Sequence, residues 1–413
     1  MIVLINPPSP FLIDDKVHPP LGLLYIAAHV EQFTNEKIKV VDLAGSRHWE
    51  RNLSAIPKAR IYGISATTPQ YGFALKIIEF LKHRYPGTHK VIGGPHASSK
   101  PQECRKDGWH TVIVGEGEVA MNYVIKHPRK FRGIIQGQRP ENLDSLPFPA
   151  RHLIDIHSYK YKIGGRLATT MISSRGCPYA CAFCSKSVMI GPVRQRSAEN
   201  VIQELDEIQK VHRFDAVMFY DDIFVLNYPR LRQITKHMQE HDIIYRCFVR
   251  ANLVSEKIFD LLAETGCYEI GFGAESGSNE ILKTIGKVTT VEQNTRLVKM
   301  AHERGIKVKA FLIAGLPGET KSSLAATERW IHEAGPDDFD ITILTPYPGS
   351  DIYDHPEKYD IKFDKSNQDY DKWHYKGKPK HYSPVVATES LNANQIVEIR
   401  DEIERRWKPR RRQ

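Results

Sequence analysis

Cysteine is scarce in this chain, six in 413 residues, and no apolar run approaches the roughly 20 residues that a bilayer crossing requires. The start, Met1-Ile2-Val3-Leu4-Ile5-Asn6, is too short and too uncharged to read as a secretory signal. A cytoplasmic protein without a membrane span is the expectation. A phosphate loop is missing too. Gly315 to Ser322 imitates one, but Lys321 does not follow a correctly spaced glycine. The net charge is +9, yet no nucleic-acid-binding motif accompanies it, so nucleic acid is not an expected partner. Much of the excess sits in Arg405-Arg406-Trp407-Lys408-Pro409-Arg410-Arg411-Arg412-Gln413, a helix end running into a basic tail.

What cysteine there is lies together. Three of the six fall within eight residues, Cys177-Pro178-Tyr179-Ala180-Cys181-Ala182-Phe183-Cys184, where chance would place about 0.1 of one. The spacing is C-x3-C-x2-C, and no second pair of Cys or His follows at the distance a zinc knuckle needs. Three thiolates suit a cubane iron–sulfur cluster better, leaving one iron open. Gly176 and Pro178 fit a tight loop around a bulky inorganic centre. Cys104, Cys247 and Cys267 form no pattern and read as small buried apolar residues.

On Cys177, Cys181, Phe183 and Cys184 the chain resembles the radical S-adenosylmethionine (SAM) superfamily, whose signature is C-x3-C-x-aromatic-C. The resemblance implies a [4Fe-4S] cluster whose open iron chelates SAM. An electron from the cluster then breaks the sulfonium bond and frees a 5′-deoxyadenosyl radical that abstracts hydrogen.

Upstream, short β-branched runs alternate with helical periods. Strands are expected at Ile2 to Asn6, Ile38 to Asp42, Ile61 to Ser65, Lys90 to Gly93 and Thr111 to Val114, and a helix from Phe73 to Arg84. That alternation predicts a parallel sheet covered on both faces, with ligands at the carboxyl ends of its strands. The residues at those ends, as an ordered set, resemble the cobalamin-binding domain of cobalamin-dependent radical SAM enzymes. The resemblance implies cobalamin contacts from Asn6, Pro7, Pro8, Leu21, Gly22 and Asp42, from Ser65, Thr67, Gln70 and Tyr71, from Gly93, Gly94, Pro95 and His96, and from Gly115, Glu116 and Gly117. The D-x-H-x-x-G motif that supplies a histidine to cobalt is absent. Its one imitation, Asp155-Ile156-His157, lacks the glycine and falls too late. Cobalamin without a protein histidine on cobalt is therefore expected, with Gln70 or Tyr71 facing the metal.

Leu143 to Arg151 carries two prolines and reads as a linker. Six further strands follow, near Thr169, Ala216, Arg246, Glu269, Val308 and Ile341, suggesting an incomplete eight-stranded barrel. The resemblance places SAM contacts after these strands. Asp221 and Asp222 would take the amino group, Arg250 and Asn252 the carboxylate and Glu275 the ribose hydroxyls, with Gly273 letting the cofactor pack against strand backbone, Leu312 and Gly315 in a segment that resembles the family's adenine-contacting one, and Phe183 and Ser276 as further contacts.

The expected fold is α/β, with a Rossmann-like cobalamin domain over residues 1–140, a linker over 141–165, a partial TIM-like (β/α)6 radical SAM barrel over 166–355, and a short C-terminal extension over 356–413. In that extension, Asp369 to Lys378 mixes aromatics and cations as a cover or partial lining of the barrel mouth. The resemblance implies a cobalamin-dependent C-methyltransferase that needs a one-electron reductant such as ferredoxin or flavodoxin. Its substrate would be a peptide or protein side chain, possible targets including a glutamine of methyl-coenzyme M reductase. Small molecules such as natural products, hopanoids or tetrapyrroles, rearrangement without methylation, and a cobalamin sensor or redox carrier stay open.

Overall fold

The computed structural model describes every residue except Arg47, 186–190, 367, 374–383 and 409–413. The chain divides into two compact units. The first is Met1–Lys160 with Ser185–Arg194 and Asn367–Gly377; the second is Tyr161–Cys184, Gln195–Ser366 and Lys378–Gln413.

In the first unit Ile2–Asn6, Ile38–Asp42, Ile61–Ser65, His89–Gly93, Thr111–Val114 and Gly133–Gln136 are strands β1 to β6. All neighbours are parallel, in the order 2-1-3-4-5-6. β1 and β3 are buried on alternate residues of both faces, as a sheet sandwiched by helices demands. Helices Leu21–Phe33 and Glu118–Lys126 pack Leu23, Ala27, Val30, Met121 and Val124 against Ile2, Leu4 and Ile61. Helix Tyr71–Arg84 buries Phe73, Ile77 and Leu81 and starts two residues before the predicted Phe73. β6 escapes prediction because Gly-Ile-Ile-Gln holds only two apolar residues and alternates between half-buried and exposed. The expected linker is not solvated: Leu143, Leu146, Ala150 and Arg151 are buried, and Ala150 joins the β1 cluster. Strand order reverses at β1, which opens a crevice between the carboxyl ends of β1 and β3.

In the second unit six parallel strands stand in sequential order, Arg166–Met171, Ala216–Phe219, Ile244–Val249, Cys267–Glu275, Lys307–Ala314 and Asp338–Ile343. Lys162–Ile163 adds an antiparallel edge. Sequential parallel neighbours make a barrel wall, and among the described residues the first and sixth of these strands do not pair, so the barrel is partial. Side chains alternate across the wall. Phe272 faces outward, edge-on to Trp330 of helix Lys321–Ala334, whereas Phe248 and Phe311 meet on the other face, 5.8 Å apart. A Cβ on Gly271 would press on both rings, at 2.8 and 3.0 Å, so glycine there keeps the inner wall open. Ser197, Asn227, Ser255, Ser278, Thr290 and Thr320 each cap the helix that follows. No described helix is long and apolar enough to cross a membrane.

Candidate functional site

The cysteine loop leaves the end of strand Arg166–Met171 through Ser173 and Ser174, both buried. Asp221, at the end of the neighbouring strand, clamps this stem. It accepts from the Ser173 N–H at 2.7 Å, from Ser173 Oγ at 2.6 Å and from Ser174 Oγ at 2.5 Å. Burial pushes its carboxyl up, against the pull of those serine donors. This corrects the expectation for Asp221: it is spent inside the chain as a brace rather than offered to an ammonium. Arg230 adds a second brace, donating to the Ser173 carbonyl at 2.8 Å. Asp222 is half-buried beside it.

Gly176 makes the turn into the cysteines in the left-handed region, φ 101°. The loop is then tied down at Ala182, whose N–H donates to Ile285 and whose carbonyl accepts from the Ile352 N–H. Phe183 is half-buried against Ile281, Leu282 and their neighbours. Cys181 is nearly buried, and Cys177 and Cys184 are half-buried.

Arg250, just past the third barrel strand, lies against this loop. Its guanidinium stacks on the Tyr179 ring at 3.7 Å, Nη1 is 3.6 Å from Cys181 Sγ, and Nε donates to Asn252 Oδ1 at 3.0 Å. Asn252 in turn donates to the Tyr179 hydroxyl. Arg250 Nη2 is buried with no hydrogen-bond partner. A buried cationic donor left unpaired is costly unless an anion completes it. Cys181 at 3.6 Å from the neighbouring Nη1, in a loop that also carries Cys177 and Cys184, suits this open donor to an anionic cluster and a carboxylate-bearing ligand.

Glu275 ends the fourth strand. A register shift between Gly273 and Glu275 breaks the ladder, and Glu275 adopts φ 61°, a conformation that costs a non-glycine residue on the order of 1–3 kcal/mol. One carboxylate oxygen pairs with Lys287 at 2.7 Å. A Cβ on Gly273 would lie 2.1 Å from that same oxygen, so the pair exists because residue 273 is glycine. Ser276 is buried on Thr327 and Ser278, a structural role. Leu312 is fully buried on the helix-facing side, which corrects its expected contact; Phe311 and Ile313 are the half-buried residues of that strand. Gly315 turns the chain at φ 87°.

The carboxyl edge of the first sheet is laced by its own polar groups. Asn6 donates to Asp42 at 2.8 Å, and Asp42 also accepts from Tyr159 at 2.6 Å. Gln70 bridges the crevice between β1 and β3: Nε2 donates to the Pro7 carbonyl and to Ser9 Oγ, and Oε1 accepts from Thr67. Ser98 Oγ donates to the Gly94 carbonyl and accepts from the Gly115 N–H, stitching two loops together. Ser65 Oγ would lie 2.6 Å from a Cβ on Gly94, so that glycine is required by close approach. Glu116 is buried in ion pairs with Arg194 and Arg139. Tyr71 does not face the edge, contrary to expectation. It is buried, stacked on His96 at 3.9 Å, and donates to Asp107. His96 is fully buried under it, with burial holding its imidazole below the ordinary range. Pro7, Pro8 and Leu21 are buried, whereas Thr67 is exposed, and Gly93, Pro95, Gly115 and Gly117 are half-buried. A Cβ on Gly22 would meet nothing within 4 Å.

Reasoning from sequence missed Lys287, Tyr179 as partner of Arg250, and Tyr370. The Tyr370 ring lies 5.0 Å from His96, and its hydroxyl donates to Glu103 at 3.0 Å. The rest of the mixed segment, residues 374–378, lies outside the described residues, as does 409–413 of the basic tail.

Comparison with known proteins agrees with both halves. Residues 15–125 match the B12 binding domain and residues 171–331 the radical SAM superfamily. An uncharacterized methyltransferase of Pyrococcus horikoshii is 31% identical over 382 residues, covering 86% of this chain and 82% of the relative. The cytidylyl-2-hydroxyethylphosphonate methyltransferase of Streptomyces wedmorensis is 25% identical over 431 residues, covering 85% and 80%. Among solved structures, the radical SAM methyltransferase TsrM of Kitasatospora setae, with cobalamin and a [4Fe-4S] cluster bound, superposes with a TM-score of 0.67 at 17% identity, covering 85% of this chain and 76% of that one; this likeness speaks for the fold. With three cysteines in one loop, matches to both family models and a methyltransferase relative spanning most of its length, the chain belongs to the cobalamin-dependent radical SAM methyltransferases, enzymes that work with a [4Fe-4S] cluster, SAM and cobalamin.

Proposed function

We propose that this enzyme methylates an unactivated sp3 carbon of a peptide or protein side chain, a glutamine of methyl-coenzyme M reductase being one such target. The bound cofactors supply a 5′-deoxyadenosyl radical that removes hydrogen and a methyl group that replaces it. Residues 1–140 hold cobalamin and residues 166–355 hold the cluster and SAM, joined by 141–165 and followed by the extension 356–413.

Cys177, Cys181 and Cys184 each give a thiolate to one iron. Arg250 Nη2 and Asn252 take the methionyl carboxylate, Asp222 the ammonium, and the oxygen of Glu275 not taken by Lys287 accepts from the ribose. The glycines at 22, 93, 94, 115 and 117, with Thr67, form the shelf for the corrin. Gln70 is the side chain presented at the crevice. Burial of His96 beneath Tyr71 keeps its imidazole off cobalt, in keeping with weak axial ligation. Ferredoxin or flavodoxin supplies the electron.

The observation that carries this reading is the divided guanidinium of Arg250, one arm on a cluster cysteine and the other buried and open. The test is anaerobic reconstitution with iron, sulfide and cobalamin, followed by incubation with SAM, reductant and candidate peptides. A methylase yields S-adenosylhomocysteine and 5′-deoxyadenosine in near-equal amounts, with a peptide gain of about 14 Da. Deoxyadenosine without homocysteine thioether points to rearrangement or cyclisation instead. No deoxyadenosine at all points to a sensor or redox carrier.

A further inference from the structure

On the flank of the second unit, two helices bring together three side chains that the reaction does not use. Helix Tyr228–Glu240 carries His237 in its last turn and ends at His241; helix Ala198–Lys210 beside it carries Asp206. The two imidazoles stack with centroids 4.0 Å apart. His237 Nε2 lies 3.0 Å from Asp206 Oδ1, and one ligand atom from each of the three residues falls within 4.8 Å of the other two.

His241 Nδ1 lies 2.8 Å from the His237 carbonyl. A carbonyl only accepts, so Nδ1 carries the proton and Nε2 the lone pair. A metal-ligating histidine is held in this way, its far N–H given to a backbone carbonyl. Gln209 donates to the His241 carbonyl at 2.8 Å and steadies that turn. Lys210 takes the other oxygen of Asp206 at 2.8 Å, leaving Oδ1 directed to His237. An ion pair accounts for His237 alone. It does not involve His241, whose ring stacks on His237 and whose ligand atom falls within 4.8 Å of those of the other two residues.

We propose that Asp206, His237 and His241 bind a divalent transition metal ion of the zinc type, with water completing a tetrahedron. Two imidazoles and one carboxylate are a borderline-soft set that matches zinc better than magnesium or calcium, which prefer oxygen throughout. Both helices run back from the carboxyl edge of the barrel strands, so the site lies at the end of this unit opposite the cysteine loop. There it joins neighbouring helices and adds stability rather than chemistry.

The experiment uses the enzyme loaded with cluster and cobalamin, exposed to zinc sulfate, desalted, and analysed for zinc and iron. About one zinc per chain is retained above the iron, and its X-ray absorption shows nitrogen and oxygen near 2.0–2.1 Å with no sulfur. The His237→Gln/His241→Gln double variant loses zinc retention at least tenfold with iron content unchanged, and Asp206→Asn loses part of it. Zinc bound through sulfur, equal retention by the double variant, or no retained zinc in the unaltered enzyme overturns the proposal. The absorption measurement needs no variant, so it decides even where a variant folds poorly.

Discussion

At the scale of single residues, Arg250 and Asp221 divide the work of holding the cysteine loop. Arg250 brings a positive charge and an N–H to Cys181, and both favour the more negative, reduced state of a bound cluster. Arg250→Met is therefore expected to lower the cluster midpoint potential, read by redox titration followed by electron paramagnetic resonance. Arg250→Lys restores the charge but not the two-armed geometry, so it recovers potential only in part and leaves SAM binding weak. Asp221, buried, holds three donors. Asp221→Ala is expected to cost about 3 kcal/mol in denaturant unfolding and to lower iron retention. Asp221→Asn, which can still accept from the Ser173 N–H, costs less on both measures.

At the scale of elements, the strand ends matter more than the strands. Glu319 sits in the turn after the fifth barrel strand, fully buried, and accepts from the Gly315 and Leu316 N–H groups. Burial pushes its carboxyl up to about 8. The folded state thus keeps a proton that the unfolded state releases near the ordinary carboxylate value, so stability falls as pH rises between the two. Thermal unfolding temperature is expected to drop from pH 5 toward pH 8, and Glu319→Gln, which cannot ionise, flattens that slope. The bulge at the end of the fourth strand makes a second case. Gly273→Ala sets a methyl against the Glu275–Lys287 pair, so SAM affinity by calorimetry is expected to weaken at least tenfold, a loss of about 1.4 kcal/mol. Five of the six strands of the first sheet are readable in the sequence because each carries a β-branched run, buried on both faces in β1, β3, β4 and β5 and kept as Ile-Lys-Val-Val even in the edge strand β2. The edge strand β6 is not, because Gly-Ile-Ile-Gln offers only two apolar residues, too short a run to stand out.

At the scale of the whole molecule, contacts made within a loop were readable and contacts made by the fold were not. The cysteines announce themselves by spacing alone. That Arg250 reaches Cys181 depends on which strand end the loop returns to, and that Leu312 is buried on the helix-facing side depends on which residues face the Phe248–Phe311 side of the wall. Tyr370 meets Glu103 across 267 residues of sequence, a separation that no local pattern encodes. Its ring packs beside Tyr71 and His96, next to the turn Thr68–Gln70 at the crevice. Tyr370→Ala is accordingly expected to weaken retention of cobalamin, measured by absorbance after desalting, whereas Tyr370→Phe, which loses only the bond to Glu103, stays close to the unaltered enzyme.

That late tyrosine also imposes an order on biosynthesis. The first compact unit takes in 1–160, 185–194 and 367–377, with the barrel strands translated before the last of these. On the ribosome the Tyr71 and His96 rings lack the Tyr370 ring until residue 370 has emerged, long after the six strands of the sheet. A fragment cut at Lys160 keeps every strand of that sheet yet lacks Tyr370 and Trp373, so excision of a minimal corrinoid module forfeits part of its core.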